Sequence, residues 1–355
     1  VSAIEQPVTV LDPTRRRRQI VSGVIYFAVA AFAIFVVLPQ FLGKDKEQMW
    51  PLAQAARIEW LALAILCEAV RYFCFGLVAR QISLMLRQPL TRRESAQMML
   101  SSHSVNRLLP SGGLVGFAVR FLFFAKYHFP FGRTLGLLIT QNVVSGAVLL
   151  CTYMLGISFL LARELLTGWQ IVLATSWLGV VSSVAVGQVY LGLRPQRLER
   201  VAAWWLRHMD RGVSGILKRT LYNPSALQKF LHDFSQSVHT TMRQPRGLLV
   251  AWCWQALAVT ANITTLVCVF QALQVPIEIG VVIGAYIIAY YAQLALPNPG
   301  EAGSFEAMLS TTLVFLGVDG VAALTATLLF RFTSYWLPIP FGVLAYLNLK
   351  RQGKV

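Results

Sequence analysis

Three arginines stand where an arginine is expensive. Arg107, Arg120 and Arg331 all lie inside strongly apolar stretches. A guanidinium held at the centre of a bilayer costs roughly 2.5 to 3.5 kcal/mol on insertion scales, so each needs a partner, water or a function. Arg107 sits just before the break Leu108-Leu109-Pro110-Ser111-Gly112-Gly113, and Arg120 follows it. Ser111 can cap a helix starting near Gly112, which aims unpaired N–H groups and the positive end of the helix dipole forward. Gly112 and Gly113 leave room for close approach, and a phosphate is the natural guest of a helix start beside arginines. A second break runs Leu296-Pro297-Asn298-Pro299-Gly300-Glu301-Ala302-Gly303. There Pro297, Pro299, Gly300 and Gly303 end one half-helix, and Glu306 stands in the first turn of the next. Glu306 has two open roles: favouring its helix N-terminus, or pairing with an arginine or a cationic amine. Glu68 and Arg71, three residues apart on one helix face, supply each other's partner and are left out of the candidate site. His103, near the first break with no acid in its hairpin, reads as a packed polar residue rather than a base.

The elements that must carry these residues are membrane helices. Hydrophobic residues make up 56% of the 355 and charged ones 13%, a balance outside the soluble range. Runs long enough to cross about 30 Å of hydrocarbon occur near Ile20–Leu42, Ile58–Val78, Leu135–Leu161, Trp169–Leu191, Leu248–Ala272 and Val321–Leu347. The formal charge of +16 comes from basic residues clustered in alternate loops, which points to topology and against nucleic-acid binding. The five cysteines fall inside apolar segments and the five histidines are scattered, so neither a metal nor another cofactor is expected.

Loops rich in Lys and Arg mark the cytoplasmic side. They are the Arg15–Arg18 tract, the loop carrying Arg80 to Arg93, Lys126 with Arg133, the long 194–246 segment, and Lys350 to Lys354. This assignment puts both termini in the cytoplasm, and it closes only if each broken stretch enters and leaves on one side. The expected fold is therefore an all-α polytopic membrane protein. It has about six full transmembrane helices and two oppositely inserted re-entrant helical hairpins, arranged as an inverted repeat. The boundaries are a cytoplasmic tail 1–19, a first membrane half 20–193 with hairpin 94–126, a cytoplasmic amphipathic basic segment 194–246, a second half 247–349 with hairpin 279–318, and a tail 350–355. In the basic segment, apolar stripes such as Leu227, Phe230, Leu231, Phe234 and Val238 suit helices lying on anionic headgroups.

The run Asn106-Arg107-Leu108-Leu109-Pro110-Ser111-Gly112-Gly113 through Arg120, the second break, Glu306, and Arg331 followed by Tyr335-Trp336-Leu337-Pro338 resemble the transmembrane region of lysylphosphatidylglycerol synthases. The resemblance spans nearly the whole chain. It implies a flippase-like translocase of a bacterial plasma membrane, moving a polar-headed and in some members amino-acylated phospholipid, or a lipid-linked headgroup, between leaflets. It adds Asn106 and Tyr335 to the substrate-binding residues. Where the family often places an arginine and an acidic residue after the first hairpin, this chain has Gln141, Asn142 and Gly146. The expectation is a carrier rather than an enzyme: no aminoacyltransferase domain follows the last span, and no Gly-x-x-x-x-Gly-Lys loop is present. The competing readings are a membrane-embedded lipid-modifying transferase and a scaffold for a separate lipid-modifying enzyme.

Overall fold

The structure is a computed structural model that describes residues 46–108, 114–127, 129–205, 224–295 and 303–354. The elements among the described residues are helical throughout, as a chain whose backbone must satisfy its own polar groups in hydrocarbon requires. They are α1 (Lys46–Gln54), α2 (Ile58–Met85), α3 (Arg92–Leu108), α4 (Leu114–Lys126), α5 (Phe131–Ala162), α6 (Gly168–Gly192), α7 (Pro224–Met242), α8 (Pro245–Ala272), α9 (Ile279–Ala295), α10 (Ser304–Phe315), α11 (Gly320–Arg331) and α12 (Pro338–Arg351). Five of the expected spans are present as helices long and apolar enough to cross a membrane: α2, α5, α6, α8 and the run Gly320–Arg351. The expected span Ile20–Leu42 and the tail before it lie outside the described residues.

Helix ends follow local chemistry. α5, α8 and α10 each stop at a residue in the left-handed region, Glu164 (φ 55°), Gln274 (φ 57°) and Gly317 (φ 90°). The amide one residue further on then closes back on the helix, as in Val275 N to Phe270 O at 3.1 Å. Asp319 caps α11 by accepting from Ala322 N at 3.0 Å.

Helices α2 and α8 lie antiparallel along their full lengths. Arg57 N reaches Ala272 O (2.9 Å) at one end, and Gln244 Nε2 reaches Met85 O (3.0 Å) at the other. Each is followed by a helical pair and then a long span, so the two halves correspond element by element. The pairs are exchanged between the halves. α3 packs on α12, where a Cβ on Gly342 would run into Ser104 Oγ. α9 packs on α5, where a Cβ on Gly156 would meet the Cα of Gly284 at 3.2 Å. Glycine at both crossings lets the backbones approach closely.

In the first pair the arms run antiparallel. Ser102 Oγ donates to Gly116 O (2.8 Å), and at the open end Tyr127 donates to Glu94 Oε1 (2.6 Å). Lys354 Nζ joins that carboxylate at 2.7 Å, tying the chain's C-terminal end to the base of the pair. Burial pushes the Glu94 carboxyl up, but bonds from Lys354, Thr91 and Tyr127 outweigh it and hold it down at about 2. The second pair, α9 and α10, has its base at the other end of the α2–α8 axis. There Glu278 meets Arg163 at 3.2 Å, close to where Arg57 donates to Gln274 Oε1 (3.4 Å).

The basic connecting segment differs from expectation over α7. Its apolar stripe, Leu231, Phe234 and Val238, is buried. It docks on α5, where Gly132 and Gly136 leave room for the backbone of α7 and Thr140 bonds Thr241 at 2.9 Å. Residues 206–223 lie outside the described residues.

Candidate functional site

Helix α2 places Glu68, Arg71, Tyr72 and Phe75 on one face, at the spacing of two helical turns. Glu68 and Arg71 are both buried, with Arg71 Nε at 2.8 Å from Glu68 Oε2. The contact satisfies charge without an aligned hydrogen bond on that oxygen. The other carboxylate oxygen accepts from Asn262 Nδ2 on α8 (2.7 Å), and Tyr286 on α9 donates to Asn262 Oδ1 (2.8 Å). One line of polar side chains thus joins three helices of the core.

The last span supplies the acceptors. Between α11 and α12 the chain makes a single π-helical turn, Phe332–Trp336, in which Leu337 N donates to Phe332 O at 2.9 Å. Pro338 has no N–H to return to the carbonyl of Ser334 four residues earlier, and π turns recur where a helix opens its ladder for function. The Ser334 carbonyl instead accepts from Arg71 and Arg107, both at 3.0 Å, and Tyr335 O accepts from Arg107 at 3.1 Å. Arg107 also donates to the Tyr72 hydroxyl at 2.5 Å.

Arg331 ends α11, one turn before Tyr335. Its Nε lies 2.8 Å from Glu306 Oε1, and both residues are buried. The second Glu306 oxygen accepts from Gly303 N at 2.8 Å, at a glycine whose φ of 91° other residues rarely adopt. Glu306 therefore fills both roles the sequence left open, binding its helix start and neutralising an arginine. Arg331 stacks over the Tyr335 ring at 4.4 Å and Arg107 over the same ring at 4.5 Å. The Tyr335 ring thus meets one guanidinium from each half.

The charges do not cancel overall. Arg71 and Arg331 each have a carboxylate, whereas Arg107 and Arg120 have none among the described residues. These two are also only half-buried, unlike the paired arginines. Arg120 makes one long bond to its own helix, Nε to Gly116 O at 3.4 Å. Asn106 lies against Gly116, and its side-chain oxygen is buried with no donor among the described residues.

Of the residues singled out in the sequence, Arg107, Glu306, Arg331 and Tyr335 converge, Asn106 and Arg120 flank them on the first helical pair, and Gly303 serves Glu306. Pro110, Ser111, Gly112, Gly113, Pro297, Pro299 and Gly300 lie outside the described residues. Sequence reasoning passed over Tyr72, Asn262, Tyr286 and Ser334, and set Glu68 and Arg71 aside. The signal for the last pair was present in two opposite charges inside a span, but their link to Arg107 runs through a carbonyl that no residue type announces. His103 is packed, stacked on Phe75 at 5.2 Å and edge-on to Tyr72 at 6.0 Å. Gln141 is buried and Asn142 exposed.

No curated protein matches this sequence. A sequence model described as the lysylphosphatidylglycerol synthase TM region matches residues 21–342, a stretch that takes in α2, both helical pairs and the π turn of the last span. With that match over nearly its whole length, this multi-pass membrane protein belongs to the lysylphosphatidylglycerol synthase TM region family.

Proposed function

We propose that the chain is a lipid translocase, in which the two helical pairs insert from opposite faces of a bacterial plasma membrane and pass an anionic lipid headgroup between leaflets. Family membership supports the coarser part, a role in membrane lipid chemistry. The observation that carries the finer part is the charge balance around Tyr335. Two arginines there are neutralised by Glu68 and Glu306, while Arg107 and Arg120, in half-buried positions beside the break in the first pair, have no carboxylate among the described residues. An uncompensated guanidinium in a low-dielectric setting favours an anion strongly, and a phosphate matches its fork of donors.

A transferase reading requires a base or nucleophile at this place. Among the described residues, His103 packs against two rings and the two central carboxylates are committed to arginines, which favours carriage over catalysis.

The test is exchange of fluorescent phosphatidylglycerol between leaflets of vesicles holding the purified protein. Arg107→Ala and Arg120→Ala should each slow exchange by about tenfold or more, the equivalent of one charge-assisted bond. Arg163→Ala, at an exposed ion pair, serves as control, and thermal midpoints in detergent check folding. Unchanged exchange in both variants of a folded protein would refute the assignment.

A further inference from the structure

Helix α6 is apolar along its length, yet Gly192 is its only buried residue. It rests on α5 and leans away from the second helical pair, leaving a slot of about 410 Å³ between α5, α6, α9 and α10. Tyr153, Trp177 and Tyr291 form its aromatic wall, with ring centroids 5.2 Å apart for Tyr153–Tyr291 and 6.3 Å for Trp177–Tyr291. Leu173 and Phe315, 61% and 60% exposed, stand on its lining and face outward. We propose that this slot holds an acyl chain of a phospholipid entering sideways from the hydrocarbon.

Three features favour that occupant. The slot lies between α5 and α6, which are long and apolar enough to cross a membrane, and the shorter apolar helices α9 and α10, so what adjoins its exposed residues is lipid rather than water. Its volume falls in the range of small-molecule sites, whereas a helix about 10 to 12 Å across covers a ridge and needs no slot. The indole N–H of Trp177 is buried with no acceptor among the described residues, and the ester carbonyl at the head of an acyl chain would give it one.

The slot and the charged site share two elements, α9 and α10. Ring contacts run from Trp177 to Tyr291, Tyr290, Tyr286 and Phe305, and Arg331 lies 4.9 Å over the Phe305 ring. A lipid with its tail here has its headgroup within reach of the pair that carries Glu306. This proposal deepens the translocase reading, but binding of a chain does not require transport.

The experiment uses vesicles containing phosphatidylglycerol with a photoreactive diazirine in one acyl chain, and maps adducts after irradiation. Adducts should concentrate on residues 169–177 and on α9 and α10. Ala174→Trp with Ala292→Trp, which fills the slot, should lower them several-fold while leaving adducts near Val184 and Val186 unchanged. If that double variant does not fold, Ala292→Leu serves, with a smaller loss. Adducts spread evenly along α6, or unaffected by filling, would overturn the slot, as would α6 cross-linking to a second copy in place of lipid. Leaflet exchange is measured in the same vesicles. Slot adducts without exchange retain this inference and sink the translocase, and exchange without slot adducts does the reverse.

Discussion

At the scale of single residues, the site separates arginines paired with a buried carboxylate from arginines that have none among the described residues. Glu306 is held twice, through Arg331 and through Gly303 N. Removing one member of a buried ion pair leaves the other's charge uncompensated by a carboxylate, at a cost of about 3 to 5 kcal/mol. Glu306→Gln should therefore lower the thermal midpoint clearly, and adding Arg331→Met should recover much of the loss. Glu278→Gln, whose partner Arg163 is 58% exposed, should change it little. A Glu306→Gln protein as stable as the parent would show that the pair contributes nothing structural. Arg107 belongs to the other class, since the groups holding it are carbonyls, a hydroxyl and a ring, each of which it can exchange for a phosphate oxygen without stranding a carboxylate.

At the scale of elements, the π turn is the piece that lets two arginines end inside the bundle. Pro338→Ala returns an N–H four residues after Ser334, and a continuous α-helical ladder would then claim the carbonyl that Arg71 and Arg107 share. The expected outcome is a last span at least as stable to heat, with slower lipid exchange. Unchanged exchange would mean that the carbonyl does not position Arg107. Pro338 and Pro340 inside the last span were visible in the sequence as a warning of this break, but not the hydrogen bonds it frees. Much else at this scale was legible, because apolar length marks a span and Pro with Gly marks a break whatever the tertiary setting. What stayed hidden depends on long-range packing. Glu68 and Asn262 meet across 194 residues, and the stripe on α7 announces an apolar partner without saying whether lipid or α5 provides it. The crossing glycines, Gly156, Gly284 and Gly342, read in the sequence only as common membrane residues.

At the scale of the whole molecule, two lines of observation group the same described helix ends together. Charge counting puts Arg80 to Arg93, Lys126, Arg133 and Lys350 to Lys354 together, with Arg57 and Arg163 opposite. Geometry does so without reference to charge. Glu94, Tyr127 and Lys354 share hydrogen bonds at one end, and Arg57 and Gln274 meet at the other, near Arg163 and Glu278. If the first broken stretch crossed the membrane completely, Glu94 and Tyr127 would lie on opposite faces; they are bonded at 2.6 Å. The consequence can be measured in a protein whose five native cysteines are replaced, with single cysteines introduced by Arg93→Cys, Gln352→Cys, Glu59→Cys and Glu278→Cys. In sealed vesicles, an impermeant thiol reagent should reach the first two from one side and the last two from the other. Labelling of both Arg93→Cys and Glu278→Cys from the same side would remove the opposed insertion. Without it the pairs that carry Arg107 and Glu306 would not enter from opposite faces, and the proposed route for a headgroup between them would be gone.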